Sequence, residues 1–231
     1  MDNENIKHVF FDLDHTLWDF ETNSALAFQK IFSDHRLNVQ LDDFLTVYKP
    51  LNFQYWKLYR EERVTKAELR YKRLKDTFDA LEKYVTDDLI DQLAIDYIEN
   101  LPKFNHLIHG TEEILKYLKG KYQLHIITNG FQEVQSRKMQ STNIDHYFDQ
   151  IITSETVGVK KPNPKVFEYA LTASGAQNYE SIMIGDSLEA DIQGAIDVGM
   201  KAIYCDFESE EPGNSGNYIA VNSLVDIKQY L

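Results

Sequence analysis

Two aspartates, Asp12 and Asp14, stand one residue apart directly behind an apolar run in the stretch VFFDLDHTLWDF, with Trp18, Asp19 and Phe20 close by. A carboxylate can attack an electrophile, carry a proton or ligate a cation, and a pair at the end of a buried strand suits a division of those tasks. Further along lie Thr128 and Asn129 in IITNG, Lys160 and Lys161 before Pro162, and Asp186 and Asp191 in GDSLEAD. Each has an ordinary structural reading. An acid behind a strand can cap a helix, as Thr128 and Ser187 can; Asn-Gly is a common turn, and paired lysines are common in solvated loops. Taken together, they place carboxylates, a hydroxyl and a lysine on one rim of one sheet.

The sheet itself is read from short β-branched or aromatic runs, at 8–12, 123–128, 150–154, 181–185, 201–205 and 218–222. Helical patterns lie between the later ones: TEEILKYLKG from Thr111, FQEVQSRKMQST from Phe131, NPKVFEYALTASG, and SLEADIQGAIDVG closed by Gly199. Alternating strands and helices predict an α/β fold, a doubly wound parallel sheet of the Rossmann-like kind. From about Glu21 to Leu101 the patterns are helical throughout, too much for one crossover. The expected organisation is therefore a catalytic core of residues 1–18 and 104–231 with an all-helical domain, 19–103, inserted after the first strand. Ligands of open parallel sheets bind beyond the carboxyl ends of the strands, where Asp12 and the insertion's entry point both fall.

Composition narrows the partners. With 37 acidic against 24 basic residues the formal charge is -13, which repels nucleic-acid polymers and anionic membrane surfaces. A small anionic substrate needs a lysine, backbone amides or a cation at the point of contact. The single cysteine, Cys205, forms no intrachain disulfide and sits in the apolar run KAIYC, which predicts a buried structural role. The acidic start MDNENIKHVFF does not read as a signal peptide and no run reaches membrane-spanning length, so the expected location is the cytoplasm. The polar stretch ESEEPGNSG, 208–216, reads as an exposed loop.

The set VFFDLDHTL, IITNG, KKP and GDSLEAD resembles the four motifs of the haloacid dehalogenase superfamily, over essentially the whole chain. Members that cleave phosphate esters keep the second aspartate of the first motif, which dehalogenases lack, so Asp14 points to phosphoryl chemistry. The resemblance implies that Asp12 is the nucleophile and forms an aspartyl phosphate, and that Asp14 protonates the leaving group and then deprotonates the attacking water. It implies Mg²⁺ as cofactor, held by Asp12, the Asp14 main-chain carbonyl and Asp186, with Asp191 behind them. Thr128, Asn129 and Lys161 then bind the phosphoryl oxygens and Lys160 stays on the surface. Many relatives carry glycine after the second aspartate where this chain has His15, which is read as a packing residue.

The insertion matches the helical cap of the family, which closes over small substrates. Its segment YKPLNFQYWKLYREERVT is dense in aromatics; Phe53, Tyr55, Trp56 and Tyr59 at helical spacing are read chiefly as filling its own core. KPLNFQYW, ITNGF and SETVGVKKPNPKVFEYAL are similar to bacterial pyrimidine 5'-nucleotidases of the housecleaning type. The implied function is hydrolysis of small phosphate monoesters, with a pyrimidine nucleoside 5'-monophosphate as the substrate, and Trp18, Phe20 and Trp56 are the candidates for gripping its base. A sugar phosphomutase or sugar-phosphate phosphatase on the same fold, and a non-catalytic phospholigand-binding protein, remain open alternatives.

Overall fold

A computed structural model of the chain describes residues 5–210, 213 and 216–231. The first four residues of the N-terminal stretch, and Glu211, Pro212, Asn214 and Ser215 of the expected loop, lie outside them. Six parallel strands, β1 His8–Phe11, β2 Gln123–Thr128, β3 Gln150–Thr153, β4 Ser181–Gly185, β5 Lys201–Cys205 and β6 Ile219–Val221, form one sheet in the order β3-β2-β1-β4-β5-β6. The order reverses at β1, which pairs with β2 on one side and β4 on the other, and such a switch point opens a crevice at the carboxyl ends of those three strands. Every residue of β1 is buried, as expected of a central strand covered on both faces.

The helices are α1 Phe20–Asp34, α2 Leu41–Arg60, α3 Lys66–Ala80, α4 Asp87–Asn100, α5 Thr111–Lys119, α6 Gln132–Ser141, α7 Ser154–Val157, α8 Pro164–Ser174 and α9 Gly194–Asp197. The chain divides into two compact units, one made of the segment through Phe20 with Asn105–Leu231, the other of Glu21–Phe104. In the sheet unit, Asn163 caps α8 with Pro164 at its first position, and Gly175 ends it in the left-handed region at φ 66°. Residues 188–199, expected as one helix, instead run through a π-helical turn, Leu188–Gln193, into α9. The Ser187 carbonyl accepts from both Asp191 N and Ile192 N, at 2.9 and 3.2 Å, and this wider turn carries Asp191 toward β4.

The helical unit buries a cluster of rings, Phe28, Phe32, Phe44, Tyr48, Phe78 and Tyr97. This corrects the expected core. Of Phe53, Tyr55, Trp56 and Tyr59 only Tyr59 is buried, and Phe53 is 69% exposed, because the inward stripe of α2 runs through Phe44, Tyr48, Asn52 and Tyr59. A capping box between Thr65 and Glu68 starts α3, and the Thr86 hydroxyl caps α4. Among the described residues no helix is long and apolar enough to cross a membrane.

Beneath the sheet unit's core, the side chains of His8 and His125 meet, Nδ1 to Nε2 at 3.1 Å, with Phe10 against the His125 ring. Burial holds the His125 imidazole down at about 4; His8 and Lys119 add to this and Asp149 opposes it. A histidine whose folded value lies below its unfolded value stabilises the fold fully above about pH 6.5 and loses that contribution as pH falls toward the folded value, up to roughly 3 kcal/mol. The destabilisation caused by His125→Gln should therefore shrink between pH 7.5 and 4.5 in urea titrations. A constant difference across that window would show that His125 keeps its protonation state.

Candidate active site

β1 ends at Phe11, and the next backbone N–H, that of Asp12, donates to Ile184 O of β4 at 2.9 Å, so the Asp12 carboxyl emerges at the switch point. Lys161 reaches the same place from the loop after α7. Its ammonium lies 2.6 Å from Asp12 Oδ1 and 2.6 Å from Asp191 Oδ1, and donates to Ile127 O at 2.7 Å. Lys161 is held there through its main chain: Asn129 Nδ2 donates to Lys161 O at 3.0 Å and Lys161 N donates to Asn129 Oδ1 at 2.8 Å. Burial alone would depress the amine, but Asp12 and Asp191 outweigh it and hold it charged. Burial, opposed by Lys161 and reinforced by Asp191 and Asp186, pushes the Asp12 carboxyl well above the usual carboxylate range.

Asp14 sits in a tight turn. Leu13 O accepts from Leu17 N and Trp18 N, at 2.9 and 2.8 Å, and His15 N donates to Trp18 O at 3.0 Å. His15 has φ 62°, the left-handed region that glycine enters without strain. Its ring packs on Phe20 at 4.9 Å between centroids. Both Asp14 oxygens are occupied: Gln135 Nε2 donates to Oδ2 at 2.9 Å and Lys138 Nζ donates to Oδ1 at 2.6 Å. The same Gln135 nitrogen lies 2.7 Å from Thr128 Oγ1.

Asp186 follows β4 and accepts from Thr16 Oγ1 at 3.1 Å. Burial, with Asp191 adding, pushes its carboxyl up to about 7. One oxygen from each of Asp12, Asp186 and Asp191 lies within 4.8 Å of the others. Three carboxylates face one ammonium and, when all three are ionised, are two positive charges short of neutrality. Hard oxygen donors short of two positive charges fit a divalent cation such as Mg²⁺. Asp191 comes this close because Gly185 has no side chain: a Cβ there would lie 2.3 Å from Asp191 Oδ2.

The structure thus brings Asp12, Lys161, Asp186 and Asp191 into one cluster, and Asp14 and Thr128 into a second joined through Gln135. The surroundings of three further residues are as follows. Asn129, read as a phosphate binder, has its side-chain amide committed to the Lys161 backbone. Lys160, read as a surface residue, is half-buried, in a turn where its carbonyl accepts from Asn163 N. Trp18 offers no open ring: it is fully buried, with the Lys138 ammonium 4.2 Å from its centroid and Phe20 edge-on. Phe20 is buried too, whereas Trp56 belongs to the helical unit, half-buried and edge-on to Tyr59. Cys205 is buried, and burial pushes its thiol well up, as a structural cysteine requires. Thr16, Gln135 and Lys138 escaped the sequence reading. In the structure α6 buries Val134, Gln135, Lys138 and Met139 as one stripe, with polar residues at two of its inward places, which the polar sequence of the helix does not signal.

A parallel sheet of this order with acids and a lysine at its switch point is a doubly wound α/β fold with a candidate site, and residues 6–199 match the family model of haloacid dehalogenase-like hydrolases. The chain belongs to that family. Pyrimidine 5'-nucleotidase YjjG of Escherichia coli is 30% identical over 225 residues, covering 96% of both chains. The glyceraldehyde 3-phosphate phosphatase of Methanothermobacter thermautotrophicus is 33% identical over 233 residues, covering 97% of both. Among solved structures, the magnesium-bound putative hydrolase YfnB of Bacillus subtilis superimposes with a TM-score of 0.88 at 24% identity, over 99% of each chain, and shares the fold.

The contact at Gly185 can be tested directly. Gly185→Ala must displace the Asp191 carboxylate and should cost about 1–3 kcal/mol of unfolding free energy. Asp191→Gly removes the obstruction, including the Asp191 Cβ that would lie 2.7 Å from the new one, so the double variant should be more stable than the sum of the two single losses by at least about 1 kcal/mol. Strict additivity in urea denaturation would show that the two positions do not collide.

Proposed function

We propose that the protein is a Mg²⁺-dependent phosphatase that hydrolyses small phosphate monoesters through an aspartyl-phosphate intermediate, and that pyrimidine nucleoside 5'-monophosphates are its preferred substrates. The observation that carries this reading is the buried Lys161 ammonium between Asp12 and Asp191 with Asp186 beside them, a site short of two positive charges at the switch point of the sheet. The kinship with YjjG supports the nucleotide preference. The lone buried cysteine suits a cytoplasmic enzyme.

In this mechanism the Asp12 carboxylate attacks phosphorus while the bond to the leaving oxygen breaks, and Asp14 delivers a proton to that oxygen. Water then attacks the acyl phosphate, Asp14 takes its proton, and inorganic phosphate leaves with Asp12 regenerated. Lys161 and the Thr128 hydroxyl bind phosphoryl oxygens throughout. Asp12, Asp186 and the Asp14 carbonyl would hold the cation, with Asp191 supporting them. When bound, the cation offsets repulsion between the phosphate dianion and the carboxylates, roughly 4 kcal/mol for two unit charges about 4 Å apart at an effective dielectric of 20. Asp12 must be ionised to attack, so the pairing with Lys161 serves the nucleophile as well as the phosphate. The helical unit is assigned the selection of substrate, with Trp56 as its candidate aromatic.

The kinship with the glyceraldehyde 3-phosphate phosphatase favours a second reading, a sugar- or triose-phosphate phosphatase with the same chemistry. A panel of phosphate release from UMP, dUMP, dTMP, purine monophosphates and glyceraldehyde 3-phosphate separates the two. The first reading expects kcat/KM at least about tenfold higher for the pyrimidine nucleotides; a preference for the triose ester selects the second. In either case Asp12→Asn should lower kcat by at least about a thousandfold, since an amide cannot attack phosphorus. EDTA should abolish turnover and Mg²⁺ restore it. Full activity in EDTA, or in the Asn variant, rejects the mechanism.

A further inference from the structure

Lys138 is an unusual residue for the inward face of a short helix. It is 2% exposed, and burying an ammonium costs several kcal/mol where a methionine of similar length would pack freely. Its surroundings have one geometric result. The ammonium lies 4.2 Å from the Trp18 ring centroid and 5.5 Å from that of Phe20, and points at Asp14 Oδ1 from 2.6 Å. Gln135, one turn earlier on α6 and fully buried, holds the other Asp14 oxygen and Thr128 Oγ1 through a single nitrogen. Gly130 makes room for it, because a Cβ there would lie 2.3 Å from Gln135 Nε2.

We propose that Lys138 and Gln135 are positioning residues that clamp the Asp14 carboxylate at both oxygens and so aim its proton transfer at the leaving-group oxygen. The inference rests on the phosphatase reading and deepens it. An aspartate carboxylate otherwise turns about two side-chain bonds, and two donors from one rigid helix face fix both. Each carboxylate oxygen offers about two lone-pair directions, so one contact apiece leaves a free direction for the transferred proton. The Trp18 and Phe20 rings keep the ammonium on this line, which gives Trp18 a role other than stacking on a base. Because Gln135 also binds Thr128, the clamp ties the proton carrier to the group that binds the phosphoryl oxygens.

A merely structural lysine and a positioning lysine differ in what their loss does to different esters. An alkyl ester, such as the best nucleotide of the substrate panel, needs its leaving oxygen protonated; the nitrophenolate of p-nitrophenyl phosphate departs without a proton. Misplacing a catalytic group by about 1 Å can cost about a hundredfold. Lys138→Met should therefore lower kcat/KM for the nucleotide by about ten- to a hundredfold through kcat, with KM changed less than about threefold, while kcat/KM for p-nitrophenyl phosphate falls less than about threefold. Lys138→Arg should recover most of the loss, and Gln135→Met should reproduce the pattern. Equal losses on both esters, no loss on either, or a loss confined to KM overturns the clamp and leaves the phosphatase standing. A wild-type enzyme that hydrolyses neither ester overturns both.

Discussion

The ion pairs of Lys161 with Asp12 and Asp191 are the constraint around which the sheet unit is arranged. Neither side of these pairs is tolerable alone. Without the ammonium, three acids of the switch point would face one another in a medium where burial already pushes Asp12 and Asp186 upward; without the acids, a lysine 1% exposed would be driven to neutrality. Removing one partner of such a pair typically costs about 3–5 kcal/mol, which is why the surrounding backbone is so closely specified. Asn129 grips the lysine's own peptide groups, and Ser187 N donates to Asp191 Oδ2 at 3.1 Å. The glycine at the end of β4 is part of the same requirement, since any side chain there would evict one of the acids.

The second cluster follows a different logic. The first holds charge at the point where an anion would bind, whereas the second holds direction. Asp14 stands in a turn closed by two bonds to Leu13 O, its carboxylate reached by a helix that begins just after β2. A turn so short forces the residue after Asp14 into the left-handed region, and this chain fills it with histidine, whose ring recovers some contact against Phe20. Such a conformation costs a non-glycine residue about 1 kcal/mol. The histidine there is therefore a local strain with a local compensation.

Much of this was legible because the sheet is parallel and central. A strand covered on both faces must be apolar throughout, so β1, β2 and β4 stood out as runs, and the residues just behind such runs necessarily gather at one rim. Long-range polar choices were not legible. Lys138 and Gln135 lie in a helix so polar that no stripe is visible, and only the acid 124 residues away on the other side of the contact explains the buried lysine. The π turn before α9 is likewise set by where Asp191 must arrive, while the local sequence reads as an ordinary helix. In the helical unit the aromatic density of α2 misled for a simpler reason, as Phe53, Tyr55 and Trp56 are in the right segment and on the wrong side of it.

The place of β1 in the sheet also has a bearing on how the protein is made. Asp12 and Lys161 are 149 residues apart, and Lys7 beside β1 meets Glu180 beside β4 across 173 residues. At about 5–20 residues per second, a ribosome needs roughly 10–35 s to supply that second neighbour after the strand has emerged. During that interval HVFF is an apolar segment with two unsatisfied edges, the kind that seeks pairing with other chains. The charges that bracket it, Lys7 on one side and Asp12 and Asp14 on the other, discourage such pairing. The acids of the switch point thus also serve as gatekeepers of the nascent chain, before the fold that pairs Asp12 with Lys161 has formed.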